Sequence, residues 1–81
     1  MDELVAIARR AAESLPKESV DERVGLSLEA IGDILGTQHL LAEAESMYLR
    51  AIAVLGKVQG SPYATEQCIV TMRNLAFIME M

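Results

Sequence analysis

The chain has very few residues that form cross-links or metal clusters. Cys68 is the only cysteine among 81 residues, so an internal disulfide and a zinc site made of several cysteines are both excluded. Its apolar neighbours predict a buried, unreactive thiol. Aromatic residues are also scarce: there is no tryptophan, one phenylalanine and two tyrosines. The core must therefore consist of Leu, Ile, Val, Met and small Ala residues, which suits closely packed helices.

Positively charged residues are outnumbered by negatively charged ones. Seven Lys and Arg residues stand against twelve Asp and Glu residues, which gives a net charge of −5. Binding to a nucleic-acid backbone or an anionic membrane requires clustered Lys and Arg, so the composition argues against both partners. The simplest interpretation is an acidic, solvated surface.

Long apolar runs are missing as well. A membrane-spanning helix needs about 18 consecutive apolar residues, and no segment approaches that length, which argues against membrane insertion. The first residues, MDELVAIARRAAESL, carry acids first and lack a basic segment followed by an apolar core, so they do not predict a secretory signal. These absences favour a reducing, cytoplasmic location.

Residues that commonly carry catalysis or bind cofactors are sparse. His39 is the only histidine, and it has no neighbouring cysteine or carboxylate cluster. No segment has the pattern of a strand, so a glycine-rich phosphate loop after a strand is not expected. We therefore predict a protein that is not an enzyme, with no cofactor and no metal, and with His39 in a turn. A Ser–His–Asp arrangement stays open on sequence alone, so a small enzyme or ligand carrier is the third hypothesis.

Apolar residues do recur, at spacings of three and four along the whole chain, which predicts an all-α fold. We expect one domain over residues 1–81 with four helices, at about 2–15, 19–36, 38–58 and 62–80. Connections of this length favour antiparallel neighbours.

Capping and breaking residues set these boundaries. Pro16 ends the first helix because proline lacks an amide hydrogen. Ser19 and Glu22 have the spacing of a capping box at the start of the second helix. Gly36 is expected to end that helix in the left-handed conformation, whereas Gly32, inside it, allows close approach of a neighbour. The expected start signals of the last two helices are Thr37, and Ser61 with Pro62.

The final segment, residues 72–79, is apolar almost all the way round. A helix of this kind needs burial on several sides, yet an 81-residue chain has little to bury its outer side against. We therefore predict that Ile78 and Met81 lie on an exposed docking face, since methionine adapts to irregular partner surfaces. The alternative is that the fourth helix simply fills the core.

Three short patterns resemble tetratricopeptide repeats. The Leu, Leu-Gly and Leu positions of the family's first helix are matched by Leu28, Ile31, Gly32 and Leu35. The small–aromatic–small series of its second helix is matched by Ala44, Tyr48 and Ala51. The Asn-Leu-Ala of the next first helix is matched by Asn74, Leu75 and Ala76. Gly32 and Ala76 are 44 residues apart, which resembles the long repeats of kinesin light chains rather than the usual repeat of about 34.

The resemblance is best over residues 28–79. It implies short antiparallel helical hairpins. The first helix of the chain corresponds to the second helix of a repeat, the next two helices form one full repeat, and the last corresponds to the first helix of another repeat. His39 departs from the pattern, because it stands where a glycine is usual. An unrelated four-helix bundle with the same periodicity is the alternative fold.

In this family the first helix of each repeat lines a concave groove that binds peptides. The resemblance assigns groove positions to Leu26, Glu29, Asp33, Val70, Arg73, Asn74 and Phe77. Asn74 is the most suggestive, because asparagine at this place often binds a peptide backbone; it can also be a plain surface residue. Glu29 and Asp33 are one turn apart, so they either favour a basic or neutral apolar partner or form a solvated face.

These observations predict a non-catalytic protein–protein interaction module, either an adaptor or a structural subunit, whose partner is a protein or peptide. Docking would use the groove and the apolar fourth helix. The alternative is a self-associating bundle, in which the fourth helix packs against a second copy of itself.

Overall fold

The computed structural model describes residues 2–80, which form four α-helices and no strand. They are α1 (Asp2–Ser14), α2 (Glu22–Thr37), α3 (Leu41–Leu55) and α4 (Pro62–Met79). The all-α prediction is therefore confirmed. The expected bounds are right within one residue for α1 and α4, whereas α2 begins three residues late and α3 is three residues shorter at each end.

The start of α2 differs from the predicted capping box. Asp21 is the N-cap: its backbone is extended and its carboxylate accepts a hydrogen bond from the Arg23 amide at 2.9 Å. The Ser19 hydroxyl instead accepts from the Asp21 amide at 2.9 Å and so orders the preceding loop. Glu22 does not reach back to this loop, because its carboxylate accepts from the Ser61 hydroxyl at 2.7 Å.

The end of α2 is also different from the prediction. Gly36 and Thr37 lie inside the helix, and the Thr37 hydroxyl donates to the Ile34 carbonyl rather than capping α3. His39 takes the left-handed conformation, with φ of 62°. The His39 amide donates to the Gly36 carbonyl and the Leu40 amide to the Leu35 carbonyl, each at 3.0 Å. This is the Schellman arrangement, so His39 is a turn residue, as predicted. His39, and not Gly36, is the left-handed residue that ends α2.

The start of α4 follows the prediction. The backbone of Ser61 is extended, its hydroxyl accepts from the Ala64 amide at 3.2 Å, and Pro62 is the first helical residue. Because the same hydroxyl donates to Glu22, it joins the first turns of α2 and α4.

Close packing of α2 on α3 forms the centre of the molecule. A Cβ added at Gly32 would lie 2.7 Å from a ring carbon of Tyr48, which confirms the close approach predicted for this glycine. A Cβ at Gly25 would similarly lie 2.7 Å from the Leu55 side chain. The buried side chains around these contacts are Ala8, Ala12, Val24, Leu28, Ile31, Leu35, Ala44, Tyr48, Ala51, Val54 and Ile78.

Candidate partner-binding site

A cleft of about 400 Å³ lies where the end of α2 faces the C-terminal half of α4. Its lining brings together three residues that the resemblance assigned to a groove: Asp33 from α2, and Asn74 and Phe77 from α4. They are 41 and 44 residues from Asp33 in the sequence, so only the fold makes them neighbours. The rest of the lining consists of Gly36, Thr37, His39 and Tyr48.

The floor of this cleft is fixed by Tyr48. Its side chain is buried, and its hydroxyl donates a hydrogen bond to a carboxylate oxygen of Asp33. Burial raises the pKa of Tyr48 well above its ordinary value, and the hydrogen bond and negative charge of Asp33 raise it further. The phenol therefore stays protonated and holds the exposed Asp33 carboxylate at the cleft.

The wall from α4 combines a polar and an aromatic side chain. Asn74 is half-buried, and its amide can donate and accept hydrogen bonds at once. Phe77 is 64% exposed, which is a high value for a phenylalanine ring beside a cleft. A carboxylate, an amide and an apolar ring thus line one cleft.

Glu29 lies outside this cleft, contrary to its assignment as an open groove residue. It is only 8% exposed on the side of α2 that packs towards α4. The pKa of Glu29 is raised, first because burial disfavours the charge and second because Asp33 is negative. The polar side chain of Thr71 partly opposes this rise. Its carboxylate is therefore part of the helix packing.

The other predicted site residues are distributed over α4. Val70 is half-buried and Arg73 is exposed, and neither lines the cleft. Ile78 is 8% exposed and belongs to the core with Ala8 and Ala12, so the prediction that it lies on an exposed face is wrong. Met81 lies outside the described residues.

The outer side of α4 is nevertheless apolar and exposed. Ile69, Met72 and Met79 are each about half exposed or more. The helix turns 100° per residue, so Ile78 points inward while its neighbour Met79 points outward. The expectation of an exposed apolar face was thus correct for the helix but assigned to the wrong residue.

A second, larger cleft of about 620 Å³ between α1 and α3 was not predicted. Arg9 and Glu43 form a two-point ion pair across it, with distances of 2.8 and 2.6 Å. The hydrogen bond to Arg9 lowers the pKa of Glu43, and the same bond raises the pKa of Arg9. Sequence spacing gives no signal for a pair 34 residues apart on different helices.

Residues 3–80 provide no group of three or more His, Cys, Asp and Glu side chains that could hold a metal ion. Cys68 is half-buried rather than buried, with its sulfur 3.9 Å from the Ile52 carbonyl oxygen. Among the helices formed by residues 2–80, none combines the length and apolarity required to cross a membrane.

Comparisons with protein-family models, with curated proteins and with solved structures found no match to this chain.

Proposed function

We propose that this chain is a non-catalytic protein–protein interaction module, with tetratricopeptide-like hairpins, that holds a peptide segment of its partner in the cleft between α2 and α4. The observation that carries the proposal is the meeting of Asp33, Asn74 and Phe77 in that cleft. It would act as an adaptor or as a structural subunit of a larger assembly.

The packing of α2 on α3 supports the hairpin interpretation. Gly25 approaches Leu55, Gly32 approaches Tyr48 and Gly36 approaches Ala44, so later residues of α2 meet earlier residues of α3. This order is that of an antiparallel pair. The Gly32–Tyr48 contact joins the glycine and the aromatic residue on which the resemblance rests. His39 has the left-handed backbone at the position where the family usually has glycine.

The chemistry of the cleft indicates the class of peptide. Asp33 offers a negative charge, and the lining described for this cleft contains no Lys or Arg. Phe77 offers an apolar surface, and the Asn74 amide is suited to pair with a backbone amide and carbonyl. We therefore expect a partner segment with a Lys or Arg beside an apolar side chain, rather than an acidic C-terminus.

Selection from a displayed library of random peptides of about twelve residues tests this proposal. We expect enriched peptides to carry a basic residue next to an apolar one. Asp33→Asn and Asn74→Ala should each weaken binding of the selected peptides at least about tenfold. The first removes the negative charge that attracts a basic residue, and the second removes the amide that pairs with the peptide backbone. The exposed Glu45→Gln, on α3, is the matched control and should leave binding unchanged.

Two results would contradict the proposal. One is the absence of any enriched peptide with a folded, helical protein. The other is binding that both cleft substitutions leave intact, since the peptide would then occupy another surface. Circular dichroism of each variant separates a lost contact from a lost fold.

Self-association is a second candidate function, and the exposed apolar side of α4 favours it. Ile69, Met72 and Met79 lie on the surface of a single helix, away from the cleft lining. Exposed apolar side chains aligned along a helix are typical of a contact with another helix. Sedimentation over a range of protein concentrations tests it, because a concentration-independent monomer mass would contradict it.

A further inference from the structure

Four of the exposed apolar residues of α4 are spaced as in a helix–helix seam. Ile69, Met72, Ala76 and Met79 follow one another at intervals of three, four and three, and all four are exposed. This is the a and d pattern of a heptad, in which Ile69 and Ala76 are a residues and Met72 and Met79 are d residues. We call these four residues the seam.

A line of charges runs beside the seam. Glu66, Arg73 and Glu80 are seven residues apart, all exposed, and of alternating sign. They occupy the e positions of the heptad, which border the contact between paired helices. Within residues 3–80 the ion pairs join Arg9 to Glu43 and Arg23 to Asp21, so Arg73 has no carboxylate partner there.

We infer that a second copy of this chain covers the seam, with the two α4 helices antiparallel and in one defined register. Ile69 lies opposite Met79 of the second copy, and Met72 lies opposite Ala76. Twofold symmetry repeats both contacts, so the dimer has four apolar layers. This inference rests on self-association, the second candidate function, and specifies its surface, direction and register.

Charge complementarity selects this register. In antiparallel pairs the e positions face e positions, and here Arg73 lies opposite Glu80 of the second copy, twice. A shift by one heptad, with Ile69 opposite Met72, would place Arg73 opposite Arg73 and Glu66 opposite Glu80. A parallel pair would place the e charges against the g positions, Cys68 and Leu75, which carry no charge. The shifted register is therefore disfavoured by like charges, and the parallel pair is disfavoured by unpaired charges.

The seam and the cleft lie on different sides of α4. Phe77 lines the cleft and has no place in the seam, while none of the seam residues lines the cleft. A dimer can therefore form without closing the peptide site, and each surface can be altered without the other.

Charge exchange in the full chain tests the register. Arg73→Glu and Glu80→Arg should each weaken dimerisation about tenfold, since each turns two attractive pairs into two repulsive ones. The two single variants mixed in equal amounts should form a heterodimer of near wild-type affinity, because Glu at 73 of one copy then meets Arg at 80 of the other. Glu66→Arg changes the net charge as Glu80→Arg does but removes no pair, so it should have little effect.

The outcomes separate the register from self-association itself. Rescue in the mixture supports the inference. A dimer that neither single variant weakens, or that the mixture does not restore, would overturn this register and leave self-association standing. A folded chain that stays monomeric up to about 1 mM would overturn both. Met72→Asp should abolish the dimer but leave peptide selection in the cleft unchanged; loss of both would overturn the separation of the two surfaces.

Discussion

At the scale of single residues, Gly32 shows how one missing methyl group sets the distance between two helices. A Cβ at this position would lie 2.7 and 2.8 Å from two ring carbons of Tyr48, closer than carbon atoms can approach. The ring is buried and its hydroxyl is held by Asp33, so it has little freedom to move. The same ring forms the floor of the cleft, so the glycine also positions the site.

Gly32→Ala should destabilise the protein by about 1–2 kcal/mol, because overpacking outweighs the gain in helix propensity. Gly36→Ala is the matched control in the same helix. A Cβ there would meet its nearest atoms at 3.9 and 4.0 Å, which are ordinary contacts. We expect that variant to be as stable as wild type or more so by about 0.5 kcal/mol. Urea unfolding measures both, and equal effects of the two alanines would contradict the packing argument.

Glu29 makes the stability of the protein depend on pH, since its pKa is raised above the ordinary 4.5 by burial and by Asp33. Below about pH 4 the carboxyl is protonated in both states and has no effect on stability. As pH rises past 4.5, the unfolded chain releases this proton before the folded chain does, so the folded state loses stability.

Glu29→Gln should therefore be more stable than wild type at about pH 7, and the difference should shrink as the pH falls to about 4. Gln keeps nearly the same side-chain shape without the buried charge. Thermal unfolding at several pH values provides the measurement. The exposed Glu45→Gln serves as a control, and a pH-independent difference at Glu29 would count against the electrostatic explanation.

At the scale of the secondary-structure elements, the turn between α2 and α3 is closed by a residue that is unusual there. His39 has a positive φ of 62°, and side chains with a Cβ adopt this region at a cost that glycine avoids.

His39→Gly should stabilise the protein by about 1 kcal/mol, since glycine is the preferred residue at this point of a Schellman motif. His39→Ala keeps the Cβ and should give no such gain. The comparison of the two unfolding free energies isolates the backbone effect, and a gain shared by both variants would point to the imidazole instead.

The helices could be predicted well from sequence, and their ends less well, for a physical reason. The spacing of apolar residues identified all four helices, and Ser61 with Pro62 located one start. Asp21 and Ser19 both have side chains that can cap, and the choice between them depends on tertiary contacts. The Glu22 carboxylate accepts a hydrogen bond from Ser61, which is 39 residues away in the sequence. No local sequence pattern can therefore show that Glu22 does not complete the capping box.

At the scale of the whole molecule, α1 is the least anchored helix. Among its described side chains the buried ones are the small Ala8 and Ala12, while Leu4 and Ile7 are 43% and 49% exposed. Its ion pair to Glu43 is exposed and screened by salt, so it adds little.

Backbone amides of α1 should exchange with solvent at least about 100-fold faster than those in the middle of α2. Hydrogen exchange read by mass spectrometry or NMR checks this. The internal reference is the segment around Leu28 and Leu35, both almost fully buried. Uniform protection across α1 and α2 would mean that the four helices unfold as one unit.

Prediction of the candidate site divides between local and distant information in the same way. The resemblance assigned Asp33, Asn74 and Phe77 to one groove, and these three side chains do line one cleft. Ile78 was misplaced because an all-apolar helix gives no signal of which side faces the core. The Arg9–Glu43 ion pair could not be predicted from the sequence, since it joins two exposed charges on different helices across a cleft.

The exposed thioether groups of α4 make this surface open to oxidation. Met72 and Met79 are 48% and 66% exposed, whereas Met47 is half-buried and packs against the core. Peroxide converts methionine to a polar sulfoxide, and accessible side chains react first. Mild oxidants should therefore turn the apolar face of α4 polar while the core stays intact, and sulfoxide reductases would reverse it. Any partner on that face would sense the redox state of its surroundings.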